Sequence, residues 1–178
     1  MKILKFVLIG LVSIIALALI AALFIDQDIT IKKEITINKP KADVFAYLKL
    51  LKNQDNYSVW ARMDPNQKKE FRGEDGTVGF VSAWNGEVSG VGEQEIKKIA
   101  EGERMDFELR FKKPFESTDY AYMTTESVSD SATKVVWGFE AKMEYPKNLM
   151  IPLMDMNKML GDQLQTGLDT LKFVVEKQ

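Results

Sequence analysis

The feature that most constrains this chain is a run of 20 residues, Phe6 to Ile25, that carries no charge and interrupts its apolar character only at Gly10 and Ser13. At about 1.5 Å per residue, a helix of that length reaches roughly 30 Å, the thickness of a bilayer's hydrocarbon core. A cleaved signal peptide would have a shorter apolar stretch, roughly 7–15 residues, closed by an A-x-A-like site. Here Ala21-Ala22-Leu23 runs on into Phe24 and Ile25, a poor cleavage sequence, and Ala16-Leu17-Ala18 lies in mid-run. Residues 1–25 are therefore read as an uncleaved, single-pass membrane anchor and residues 26–178 as one domain. Lys2 and Lys5 precede the run, which favours an extracytoplasmic domain. Lys32, Lys33, Lys39 and Lys41 on the other side belong to the folded part, where charge counts for less.

Charge and residue usage exclude several functions for the domain. Without Lys2 and Lys5 it holds 22 of the 24 basic residues against 26 acidic ones, a net charge of −4 with no basic run. That argues against nucleic acid, whose binding rests on neutralising phosphates. The chain has no Cys and no His. Disulfides, thiolate sites, His-ligated metals and His-based general bases are thereby excluded, and neither a metal nor a cofactor is expected. Asp64, Glu70 and Glu74 form no recognisable cation loop.

The domain begins with an alternating segment. Ile29, Ile31, Lys33, Ile35 and Ile37 fall on one side, with Thr30, Lys32, Glu34 and Thr36 on the other, as in a half-buried strand. Asn38 and Pro40 open a helix, with Asn38 or Lys39 near the cap and Pro40 in the first turn, and its apolar face is Val44, Phe45 and Leu48. A second short helix spans about 54–62, stopped by Asp64-Pro65. About six strands follow: 68–72, 77–84, 92–99, 103–111, 119–128 and 134–141. Asn85-Gly86 marks a tight hairpin. In the strand at 103–111, Met105, Phe107, Leu109 and Phe111 alternate with Asp106, Glu108 and Arg110. Val135, Trp137 and Phe139 share a face in the last strand. A long helix over 149–177 closes the chain, with Leu153, Met156, Leu160, Leu164, Leu168, Leu171 and Val175 as its apolar stripe. Pro152 belongs in its first turn or delays its start. The expected fold is α+β: a curved antiparallel sheet of about seven strands wrapped on a long C-terminal helix.

This order of elements resembles the SRPBCC superfamily, the helix-grip group of START lipid-transfer domains, birch-pollen-allergen-like proteins and polyketide cyclase/dehydrase-like proteins. Local support comes from Ile35-Thr36-Ile37-Asn38-Lys39-Pro40 leading into Val44-Phe45-Ala46-Tyr47-Leu48, from Trp60-Ala61-Arg62-Met63-Asp64-Pro65 and from Gly92-Glu93-Gln94-Glu95-Ile96. The resemblance implies a cavity between sheet and helix. It implies no single activity and carries over no catalytic set.

The cavity candidates follow from strand alternation and helix stripe. They are Met105, Phe107, Leu109, Trp137 and Phe139 on the sheet, and Met150, Met154, Met156 and Leu160 on the helix. The same residues also suit plain core filling, because burial is one and the same term of about 25 cal/mol per Å2. Tyr57, Trp60 and Tyr122 offer polar tips to a ligand or serve as ordinary interfacial aromatics. Ser82 and Gln94 offer hydrogen bonds if they face inward, and a one-residue register shift would reverse them. The leading expectation is non-enzymatic binding of a small hydrophobic or amphipathic molecule, such as a lipid, by a domain held at a membrane. The alternatives are a cyclase/dehydrase-like enzyme with converging polar groups in the cavity, and a protein-interaction module with a filled core. Oligomeric state leaves no mark in the sequence.

Overall fold

The computed structural model describes residues 2–178. Helix α1, Lys2–Ala22, is long and apolar enough to cross a membrane, and it stands clear of the rest of the chain over nearly its whole length. Its last turn does not. Ala22 is buried, and the side-chain amide of Asn148, itself wholly buried, donates to the carbonyls of Ala22 (2.7 Å) and Ile25 (2.9 Å). A helix end leaves such carbonyls without intrahelical partners, so Asn148 both caps α1 and fixes where it leaves the domain.

Strand β1 (Asp28–Ile37) leads into α2 (Lys41–Lys49), a 3₁₀ turn (Leu51–Asn56) and α3 (Val59–Met63). Strands β2 (Lys68–Arg72), β3 (Val81–Asn85), β4 (Val91–Ala100), β5 (Arg104–Lys113), β6 (Ser117–Ser129) and β7 (Ala132–Lys142) follow. A 3₁₀ turn at Lys147–Leu149, a four-residue helix α4 (Met150–Leu153) and the long helix α5 (Met156–Glu176) complete the chain. The seven strands form one antiparallel sheet in the order β1-β7-β6-β5-β4-β3-β2. The expected α+β sheet with its covering helix is what forms.

Alternation decides the concave face. Ile29, Ile31 and Ile37 are buried, with Lys33 interrupting the apolar series. The end of the Lys33 side chain lies against α5 at Gly161. Helix α5 runs alongside β1: Gly161 lies by Lys33 and Ile31, while Glu176 accepts from the Asn38 amide (2.7 Å) and Lys172 donates to the Thr36 carbonyl (2.8 Å). This covers one sheet edge. The other edge, β2, is five residues long with sequence Lys-Lys-Glu-Phe-Arg.

Several sequence expectations change. The one short helix at 54–62 is instead a 3₁₀ turn, Leu51–Asn56, followed by α3, and the strand at 77–84 forms only over Val81–Asn85. The single helix at 149–177 is broken: Asp155 adopts φ +45°, and α5 starts only at Met156. Leu153 is therefore cut off from the stripe and lies 70% exposed. The Asn85-Gly86 signal does not give a two-residue turn. The connection runs from Gly86 to Gly90, closed by Gly86 donating to the Gly90 carbonyl (2.8 Å), and Asp64 fastens it by accepting from the amides of Val88 and Ser89 and from the Ser89 hydroxyl. Pro40 is the cap of α2 and does not enter its first turn.

Two helix glycines separate cleanly. A Cβ on Gly167 would lie 2.8 Å from the Trp137 ring, whereas one on Gly161 meets only the flexible end of Lys33 at 3.0 Å. Alanine gains about 1 kcal/mol of helix propensity at either site. Overpacking a core costs about 1–3 kcal/mol. Gly161→Ala is thus expected to leave stability unchanged or raise it, and Gly167→Ala to lower it. Urea denaturation of the two variants checks the difference in sign.

Candidate functional site

The concave face of the sheet is not filled along its whole length. Strand β5 shows the change. Met105 and Phe107 are 1% and 2% exposed and belong to the packed core, whereas Leu109 and Phe111, two and four residues on, are half-buried and border open space. The antiparallel register carries this open half across the sheet: Leu109 lies opposite Gln94, which lies opposite Ser82, and Phe111 lies opposite Gly92, which lies opposite Trp84. Gly92 is what lets the Trp84 ring cross the sheet, since a Cβ there would sit 2.5 Å from it. Leu160 and Leu164 of α5 form the roof, and Trp60 and Ala61 of α3 the side. The enclosed space is about 260 Å3.

Two edge-to-face aromatic pairs frame it: Trp60 with Trp137 at 6.2 Å and Trp84 with Phe111 at 5.7 Å between ring centres. Such pairs hold rings rigidly at little entropic cost. Beneath, Trp137 also packs edge-on to Tyr57 at 5.7 Å. The Tyr57 hydroxyl is turned away from the cavity towards the Met123 sulfur (3.6 Å), and burial holds its pKa far above the ordinary tyrosine value.

One wall is polar. Ser82 and Gln94, side by side on β3 and β4, are only 8% and 6% exposed as whole residues, but their polar atoms open onto the cavity and make no hydrogen bond among the described residues. Lys69 and Asp55 form an ion pair (2.6 Å) in the same lining. Ser89 joins from the β3–β4 loop, where its carbonyl also accepts from the Trp84 indole (3.1 Å).

Of the residues singled out in the sequence, Trp60, Ser82, Gln94, Leu109, Trp137, Phe139 and Leu160 line the cavity together. Tyr57, Met105 and Phe107 lie in the solid core, and Met156 packs against it. Tyr122, Met150 and Met154 are elsewhere. Tyr122 alternates with the inward-facing Ala121 and Met123, so it lies on the convex face, crossing Gly138 and stacked under the Arg104 guanidinium at 4.1 Å. There it borders a shallow hollow of about 350 Å3 walled mainly by charged side chains, among them Lys97, Asp106 and Glu140. Met150 and Met154, 43% and 50% exposed, precede the break at Asp155 and so never join the α5 stripe. Sequence reasoning missed Trp84, Lys69 and Asp55. Trp84 had a usable signal, standing two residues after Ser82 on one strand. Lys69 and Asp55 had none, because their pairing depends on the fold.

Beyond the cavity, Asp119 follows the inward series of β6. It is buried, takes one hydrogen bond from the Ser117 hydroxyl (3.1 Å), and desolvation raises its pKa. A raised carboxyl favours its neutral form in the folded state, so its stabilising contribution is present at low pH and is lost as pH rises through the folded pKa. Asp119→Asn is accordingly expected to raise stability at pH 7 and to lose that advantage at pH below the ordinary carboxylate range. Thermal unfolding of both proteins across pH 3–8 tests this.

No family model matches the chain, and no curated protein matches it. Solved structures do. The crystal structure of Ara h 8.0201 superposes with TM-score 0.59 at 16% identity, over 85% of this chain and 99% of the other. The crystal structure of protein MLL2253 from Mesorhizobium loti gives 0.60 at 11% identity, over 84% and 98%. CalU16 from Micromonospora echinospora gives 0.55 at 11% identity, over 82% and 75%. The likeness is one of fold: the chain has the helix-grip fold that these structures share.

Proposed function

We propose that this helix-grip domain, held at a membrane by α1, binds a small amphipathic molecule in the cavity between its sheet and α5, without transforming it. The observation that carries the reading is the pairing of an apolar, aromatic-framed space with two polar side chains, Ser82 and Gln94, whose polar atoms open onto that space and make no hydrogen bond among the described residues. Such a site suits a ligand with an apolar body and one hydrogen-bonding group. At about 260 Å3 the space lies just under the range of about 300–1000 Å3 usual for drug-sized ligands, so a compact ring system or the end of a chain fits better than a whole two-chain lipid. The apolar run of α1 supports the anchor, residues 26–178 being the binding domain. Lys2 and Lys5 ahead of the run support an extracytoplasmic domain. Tethering suits a ligand drawn from the bilayer, because it holds the site at high local concentration of its source.

The test is native mass spectrometry of the full chain, purified in detergent from the cells that make it, followed by organic extraction. A discrete extra mass that extracts as one small apolar or amphipathic compound, and that is lost in Ala121→Trp, supports the reading. Ala121 lines the cavity, so the larger ring would occupy the ligand's space. A chain that stays free of ligand after incubation with membrane extract would overturn it.

A further inference from the structure

The end of the domain from which α1 departs is also the end at which the cavity lies. Strand β1 starts there, and the register brings with it the end of β7 (Lys142 opposite Asp28), the start of β6 and the end of β5 (Ser117 opposite Phe111), and the β3–β4 connection. The half-buried cavity residues Phe111, Trp84, Phe139 and Leu160 belong to this half of the molecule.

The same end carries large apolar side chains that nothing covers. Leu23 and Phe24 are 66% and 84% exposed directly after α1. Phe115, at the tip of the β5–β6 hairpin, is 71% exposed, and Leu153 and Met154 at the end of α4 are 70% and 50% exposed. They are joined through the 3₁₀ turn at 147–149. Lys147 lies 5.8 Å over the Phe115 ring, Asn148 caps α1, and α4 begins at Met150. A helix of four residues with its apolar side turned to solvent is costly in water. Beside the exit of a membrane-spanning helix, those side chains meet the headgroup region, where aromatic and aliphatic groups are stabilised. The neighbouring charges are mixed, Lys113 and Lys147 against Glu116, Glu144 and Asp155, so insertion of apolar side chains and not attraction to anionic lipid is the expected mode.

We propose that the Phe115 hairpin tip and α4 form a second contact with the bilayer, which seats the domain on the lipid surface with its cavity at the membrane end. The proposal rests on α1 spanning that bilayer, and its test separates the two. The chain has no native cysteine, so single-cysteine variants take one fluorescent label each. Ile14→Cys reports on α1, Phe115→Cys and Leu153→Cys on the proposed contact, and Asp130→Cys on the β6–β7 turn at the opposite end of the sheet. The labelled full chains are placed in phosphatidylcholine vesicles with and without brominated acyl chains. The expected result is at least about twofold quenching at 14, 115 and 153 and none at 130. Quenching at 14 with 115 and 153 behaving like 130 overturns the second contact and leaves the anchor standing. Absence of quenching at 14 overturns both.

Discussion

Trp137→Ala is expected to lower the unfolding free energy by about 3–5 kcal/mol, the cost typical of removing a large buried aromatic. Trp137 is 4% exposed and holds three parts of the structure together: it packs edge-on to Tyr57 and Trp60, and α5 approaches it closely at Gly167. Its loss leaves space on three sides. The space cannot collapse, because β7 lies between β1 and β6 in the sheet and its backbone is fixed by both. Urea denaturation followed by far-ultraviolet circular dichroism measures the loss. A cost below about 1 kcal/mol would mean that the ring is not packed between sheet and helix as described. The variant also removes the floor of the cavity, so the mass of any retained ligand is expected to change with it.

The second large effect separates two leucines that the sequence pattern treats alike. Leu153 and Leu168 belong to one apolar stripe by spacing, yet Leu168 is wholly buried under the sheet and Leu153 is 70% exposed on α4. Leu168→Ala is expected to cost about 2–5 kcal/mol of domain stability. Leu153→Ala is expected to stay within about 0.5 kcal/mol when measured in detergent. Equal costs would show that the helix continues through Asp155 and that Leu153 packs on the sheet. The pair therefore measures where the gripping helix begins.

These contrasts show what the sequence holds and what it does not. The fold was legible because period-two alternation in β1, β5 and β7 and the stripe of α5 are local signals, and they carry the burial pattern directly. Met105, Phe107 and Leu109 faced inward as their spacing required. What alternation does not show is where a concave face stops being filled. Phe107 and Leu109 are identical signals in the sequence, but one lies in the packed core and the other borders open space, and tertiary packing above the sheet decides it. Tyr122 was misjudged for a related reason. An alternating Tyr-Ala-Tyr-Met segment gives two possible faces, and bulk alone favours the tyrosines. The sheet instead buries Ala121 and Met123, because Tyr122 crosses the bare backbone of Gly138 on the neighbouring strand, a match between two distant positions. Met150 and Met154 failed on a backbone event, the left-handed turn at Asp155, of which Pro152 was the only hint in the sequence.

The two edges of the sheet have a consequence for crowding. Were α1 in a bilayer, as proposed, the chain would diffuse in a plane, and neighbours would meet side to side far more often than in free solution. Side-to-side encounter is the geometry in which open sheet edges join into larger assemblies. In this protein β1 lies along α5 at one edge, and at the other β2 offers only five residues, all but Phe71 charged. Short length and charge at the free edge oppose such joining between copies.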